Sequence, residues 1–559
     1  MASFPPPMPR TTFALLVLAA AAGTLPGALR AQGDEAPPPA RGVLRVLLPP
    51  VWSRWDRRFG EGTPGSVTGA LEPLGVDFGA ESLGVAQLPF LGPSQSVLRT
   101  ITRLPAFSLN LGQAELRLNT NVRAQPLGVA LGITRRLSVS MLVPLVRSRV
   151  EAFFQMDTTA ARRGTVGWNP AYATPGSLDA FRGQVDAALG ALRTQATAGP
   201  AALRAQALAA LDQLGPLLCG LYTVAAGSAA DPASACYAAT PVNASPFLPL
   251  GTSEAGESIT ARLAGARTSW NQLITAYAGA GVTLPGFTAA FALPATAVTR
   301  GDVQRFLQDT VLGAGGDSLA MVLRTRLGDI EAAATYVFAD RARFRGRATV
   351  TVRLPTGMAD SDRNFIDVGT GDHQLDVELG VHNDLALGTS FHVVAAGRAG
   401  IQFADQLERR VSPPSQPIAS LAQLALVRRD LGDYVTFDII PTWRLDDALS
   451  LGVRYAYFRQ GATRFGYRDA ADSARTGLPA SVLDQETAVR WMRIGVGVTF
   501  STLNRFAAGR AGLPYTITIG YQNTLWGRGG RTPQTSLVYI NLASYFRVWG
   551  GGGQVIGDE

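Results

Sequence analysis

Ser536-Leu-Val-Tyr-Ile-Asn-Leu-Ala-Ser-Tyr-Phe-Arg-Val-Trp549 reads as one long strand with two unlike faces. Side chains on an extended chain alternate with period 2. Ser536, Val538, Ile540, Leu542, Phe546 and Val548 therefore share one side, and Tyr539, Asn541, Tyr545 and Arg547 the other. The same split recurs at Met492, Ile494, Val496, Val498 and Phe500 against Arg493, Gly495, Gly497 and Thr499, and at Leu375, Val377, Leu379 and Val381 against Asp376, Glu378, Gly380 and His382. A greasy face behind a wet one suits a wall between lipid and a lumen, but a soluble sandwich alternates too. The connections have to decide.

Working outward from that stretch, alternating segments fall near 113–123, 126–134, 137–150, 329–338, 343–355, 374–383, 389–403, 434–444, 448–459, 489–501, 514–525 and 535–549. If the first begins on the periplasmic side, the periplasmic connections are 134–136, 339–342, 384–388, 445–447 and 502–513, and most are short. The opposite set holds the 150–328 insert and the loops 356–373, 404–433 and 460–488. Short turns at one end, long loops at the other and an even strand count predict an all-β transmembrane barrel of about 12 antiparallel strands, set in the outer membrane and carrying a large α-helical insert. Trp443, Trp491, Trp526, Tyr521, Phe546 and Trp549 lie near strand ends, as interfacial girdles require. The aromatic close of the last strand suits recognition by the barrel-assembly machinery.

Composition agrees with this class. Of 559 residues 47% are hydrophobic and only 16% charged, below the roughly 25% usual for globular proteins. No run of about 20 apolar residues is present, which excludes a bundle of membrane helices. Arg10, the apolar stretch Phe13–Ala22 and Leu29-Arg30-Ala31 predict a secretory signal cleaved after Ala31. Its removal takes away Arg10 and Arg30 and lowers the net charge from +8 to +6. The basic charge does not point to nucleic acid, because there is no lysine and the arginines are dispersed.

The expected organisation is a signal peptide at 1–31, a Pro- and Gly-rich periplasmic or lumenal segment at 32–105, barrel strands 1–3 at 106–156, an extracellular helical insert at 157–328, strands 4–12 at 329–549 and a tail at 550–559. Helical spacing marks the insert: Leu178, Phe181, Val185, Leu189 and Leu192, then Ile259, Leu263, Ala266, Trp270, Ile274 and Tyr277. Cys219 and Cys236, alone in an exported chain, are expected to form a disulfide worth about 3 kcal/mol.

Alternation assigns a lumen face comprising Glu115, Arg117, Arg123, Glu331, Arg345, Arg347, Arg353, Asp376, Glu378, His382, His392, Arg398, Asp438, Arg454, Arg493 and Arg547. The excess of guanidinium would favour anionic solutes. The competing expectation is that these charges pair and simply fill the lumen. Catalytic signals are weak, the nearest being Asp372-His373 beside a loop with Asp360, Asp362 and Asp367. Asp360-Ser-Asp362-Arg-Asn364 resembles the start of a calcium loop, but Phe365 occupies the turn-glycine position. No catalytic residue, metal or cofactor is expected.

Arg353-Leu-Pro-Thr-Gly357, Asp367-Val-Gly-Thr-Gly371-Asp372 and the segment from Gly128 to Pro144 resemble the outer-membrane barrels of the meta-pathway phenol-degradation or transporter-like family, which is loosely akin to the long-chain fatty-acid transporter type. The resemblance covers mainly 107–150 and 329–403. It implies passive passage of small organic, often hydrophobic or aromatic, solutes through a barrel surrounded by outer-membrane lipid. The other function open to such a chain is an anchor that displays its helical insert for adhesion or partner binding.

Overall fold

The computed structural model describes residues 37–60, 68–76, 81–157, 163–225, 234, 236, 245–307, 321–363, 366, 368–413, 419, 421–529 and 532–550. The expected signal peptide and nearly all of the C-terminal tail lie outside these residues. The chain divides into two compact units: Met1–Asp77 with Leu116–Phe153 and Leu312–Glu559, and Phe78–Glu115 with Phe154–Val311.

The first unit is a closed antiparallel barrel. Its wall begins with β1 (Val43–Leu48) and β2 (Val51–Trp55), followed by β3 (Ala114–Gly132), β4 (Leu137–Met156), β5 (Val322–Leu327), β6 (Ile330–Arg341), β7 (Phe344–Leu354), β8 (Asp376–Ala386) and β9 (Phe391–Gln402). Two strands outside the wall, β10 (Asp405–Arg410) and β11 (Leu424–Asp430), precede β12 (Tyr434–Arg444) and β13 (Leu449–Gln460). After β14 (Arg464–Tyr467), also outside it, the wall ends with β15 (Val489–Ser501), β16 (Tyr515–Arg528) and β17 (Ser536–Arg547). Both β1 and β2 pair with β17 on one side and β3 on the other, in a register that runs unbroken from Val43 opposite Arg547 to Arg54 opposite Ser536. They are one strand interrupted at Pro49–Pro50. In the same way β5 and β6 both pair with β4, on either side of Gly328 and Asp329. Counted so, twelve strands close the wall.

The expected number is right, but its composition is corrected. Ala114–Gly132 is a single strand, so 106–156 holds two strands rather than three. No break separates 113–123 from 126–134: Leu47 faces Gly128 and Val51 faces Ala124, which sets Pro126 opposite Pro49 in an otherwise continuous ladder. The missing strand comes from 32–105, where the two prolines hid it, since proline has no N–H for a ladder. The range 157–328 is corrected as well, because Val322–Leu327 belongs to the wall.

Burial fixes the two faces. Val350, Leu379, Val381, Phe437, Val496, Ile519 and Val538 point outward and are exposed, as a lipid-facing band requires. Tight turns join strands at one end, as where Leu387 N donates to Phe391 O and Leu445 N to Leu449 O. Apart from 502–514, the long connections leave the other end. This is an outer-membrane barrel.

The second unit is helical. Its main helices are α1 (Gly92–Thr102), α2 (Asp179–Ala198), α3 (Ala201–Ala225) and α4 (Glu254–Ala278), of which α2 and α4 bury the stripes expected from sequence, including Phe181, Val185, Leu192, Leu263, Trp270 and Tyr277. α3 carries no clean stripe because it is apolar on most sides, and sequence spacing did not reveal it. It packs against α1 and α2. Cys219 on α3 is bonded to Cys236, with their Cα atoms 5.0 Å apart.

Candidate functional site: a charged lumen with an inward loop

The residues expected in the lumen separate into two groups. Thirteen from β6 onward lie on the inner face, most of them buried. Glu115, Arg117 and Arg123 do not: on β3 the even positions are buried and these three are exposed. Arg123 faces Trp52, which in turn faces the lipid-side Val538. The reason is that the outer face of this strand is itself polar from Glu115 to Gln125, so polarity there does not identify the lumen.

Most of the charges within the barrel are paired. Asp438 accepts from Arg398 at 2.8 Å and from Arg454 at 2.7 Å, with all three side chains buried. Arg353 reaches Asp376 at 2.8 Å and Glu331 at 3.1 Å. Arg345 pairs with Asp340 at 2.9 Å. Arg347 and His382 are buried and directly opposite each other on β7 and β8. His392 is half-buried opposite Thr442 on β9 and β12, and Arg547 stands exposed at the short-turn end of β17. Such pairs in a low-dielectric setting are held by each other, and removing one member strands its partner at a cost of about 3–5 kcal/mol.

Beside this lattice runs an aromatic ladder. Tyr434, Phe458 and Trp491 sit inward on β12, β13 and β15, with ring centroids 5.9 and 5.2 Å apart and planes nearly parallel. The Arg493 guanidinium lies 4.4 Å from the Trp491 ring, and the Tyr434 hydroxyl donates to Glu378 at 2.6 Å. Trp491 was expected in the membrane girdle and is here corrected to the lumen. It lies one residue from the exposed Arg490, and a one-residue step changes the face. Trp443, Tyr521 and Phe546 are exposed on the outer face, and Trp549 is exposed just past the end of β17.

The connection between β7 and β8 folds inward. The carbonyl of Val368 accepts from Ser148 Oγ, on the inner face of β4, at 3.2 Å. The loop is pinned by one buried carboxylate at the break between β5 and β6: Asp329 accepts from Gly357 N at 2.8 Å and from Asp372 N at 2.7 Å. Thr370 Oγ1 donates to Leu327 O, and Thr356 Oγ1 to Gly328 O, both at 2.8 Å. The two glycine motifs now have a reason. A Cβ on Gly357 would come within 2.8 Å of the Asp329 carboxylate, and one on Gly371 would overlap it.

The acidic stretch of this loop is clamped to the small sheet of β10, β11 and β14. Arg409 bonds Asp360 at 2.7 Å and Asp362 at 2.5 Å, and Arg410 N donates to Asp362 at 2.7 Å. The oxygens that suggested calcium are occupied by a guanidinium, and no group of potential metal ligands stands out among the described residues. Asp367 lies outside them. Burial pushes the Asp372 carboxyl up to about 7, with Asp329 and Asp376 reinforcing and Arg353 and Arg429 opposing.

No protein-family model matches the chain, and no curated protein matches it. Among solved structures it is similar to an outer membrane channel from Pseudomonas putida F1 (10% identity over 92% of this chain and 98% of that one, TM-score 0.40). It is also similar to the P. putida toluene transporter TodX (10% identity, 96% of each chain, TM-score 0.26). A third is a Pseudomonas aeruginosa FadL homologue (7% identity, 91% and 90%, TM-score 0.25). These likenesses are loose, and the reading of this chain rests on its own geometry.

Proposed function

We propose that the protein is a passive channel for small organic solutes, with a preference for aromatic anions, and not an enzyme. The observation that supports it is the inward ladder Tyr434–Phe458–Trp491 with Arg493 against its end. Stacked rings offer an aromatic solute successive faces, and a neighbouring guanidinium complements its charge. A barrel serving only as an anchor has no use for such a strip. The inward loop then acts as the gate, held by polar contacts to Asp329 and Arg409 and by the buried Ile366 and Val368. Lipid on the outside and the barrel-assembly machinery, through the aromatic end of β17, complete the proposed partners.

Refolded full-length protein in liposomes tests the reading by uptake of benzoate against an uncharged solute of equal size. Benzoate is expected to enter faster, and Trp491→Ala should reduce that preference while leaving the barrel folded. No flux of either solute, in wild type and in a loop-released variant alike, would favour the anchor, whose proposed display element is the separately packed, disulfide-linked helical unit.

A further inference from the structure

On the outside of the barrel Arg459, Arg490 and Arg528 occupy directly opposed positions on the three adjacent strands β13, β15 and β16. All three are exposed. Among the described residues none of them has an ion pair or a hydrogen bond from its side chain. Like charges placed directly across a ladder destabilise the sheet unless something between them carries the opposite charge.

Their depth identifies what that is. The next outward positions toward the barrel centre are Tyr457, Met492 and Trp526, followed by the apolar positions Tyr455, Ile494, Val453, Val496, Leu451 and Val498. From Leu449 to Tyr457 the strand spans about 20 Å along the membrane normal once its tilt is allowed for. The arginines therefore stand one step beyond the lipid band, on the side of the long loops, where headgroups of the outer leaflet lie. Guanidinium groups bind phosphate bidentately and a row of them can share one or two phosphates. We infer that Arg459, Arg490 and Arg528 form a site for the phosphate groups of an outer-leaflet lipid, separate from the lumen and independent of the channel reading.

The test uses the full-length protein in neutral detergent and the probes bisphosphorylated lipid A, its dephosphorylated form and inorganic phosphate, with binding read by native mass spectrometry. Wild type is expected to retain lipid A, and the triple variant R459Q/R490Q/R528Q to bind it about a hundredfold more weakly. Dephosphorylated lipid A should bind wild type as weakly as lipid A binds the variant. Equal binding of lipid A by both proteins, or of the dephosphorylated lipid by wild type, would overturn the proposal. Inorganic phosphate competing at the same concentration would overturn the assignment to a lipid. Unchanged heat-modified migration on gels shows that the variant is folded. If it is not, R490Q alone should lower affinity about fivefold.

Discussion

Asp329 accepts two backbone N–H groups that are both buried with it, one at each end of the inward loop. Exchanging it for Asn removes the charge and offers one acceptor oxygen where two were used, at a cost of about 1–3 kcal/mol. Asp329→Asn should therefore raise the open probability in planar bilayers, and an unchanged conductance record would mean that the loop is held elsewhere. Asp372 adds a pH dependence. Its folded value of about 7 lies above that of a free carboxyl. The stability it contributes is thus complete below about pH 4 and is lost as pH rises through about 7. Opening should increase between pH 6 and 8 in wild type and stay flat in Asp372→Asn. None of this was legible beforehand: the sequence marks Gly357 and Gly371 as motif glycines, but the carboxylate they make room for lies outside either motif. Arg409 was equally hidden, since its acids are some 50 residues away and loop pairing has no periodicity.

The strand is the scale at which the sequence spoke most clearly. Period 2 assigned the faces of β8, β12, β15 and β17 correctly, because each crosses the membrane with lipid on one side and packed charge on the other. It failed on β3, whose outer face is polar over 115–125, and at Pro49–Pro50, where a strand survives without two of its donors. Val496 is 53% exposed on the lipid face near the middle of the band, whereas Thr499 on the same strand faces inward and is half-buried. Val496→Arg should cost about 2–4 kcal/mol of folding into lipid, and Thr499→Arg far less, as read by urea titration in vesicles. Gly495 is the wrong inward control despite being adjacent, because any side chain there would run into Gln522 and Tyr521 O. Equal losses at 496 and 499 would reverse the facing.

At the level of the molecule, two excursions of the chain, after β2 and after β4, leave the barrel at strand ends on the long-loop side and supply the helical unit. Protease added to intact cells is expected to cut within 163–307 while the wall stays protected. Protection until the outer membrane is broken would put the short turns outside. That the unit draws on 78–115 as well as on the insert was not visible in sequence, because α1 is short and its apolar positions find their partners only across a long separation. The closed count of twelve was legible, yet it was reached through a strand too many in one place and one too few in another.

The composite strand of β1 and β2 lies between β3 and β17, so the seam of the cylinder joins the first and last strands of the wall. Pro49, Pro50 and Pro126 all sit on it and none can donate a hydrogen bond. Biogenesis inherits an ordering problem from this: the first strand of the wall finds one of its two neighbours only after β17, the last strand of the wall, has been made. A chain lacking residues 37–56 would be an eleven-stranded ribbon with two raw edges, and supplying that segment as a separate peptide should restore heat-resistant cylinders, much as a missing stave closes a cask.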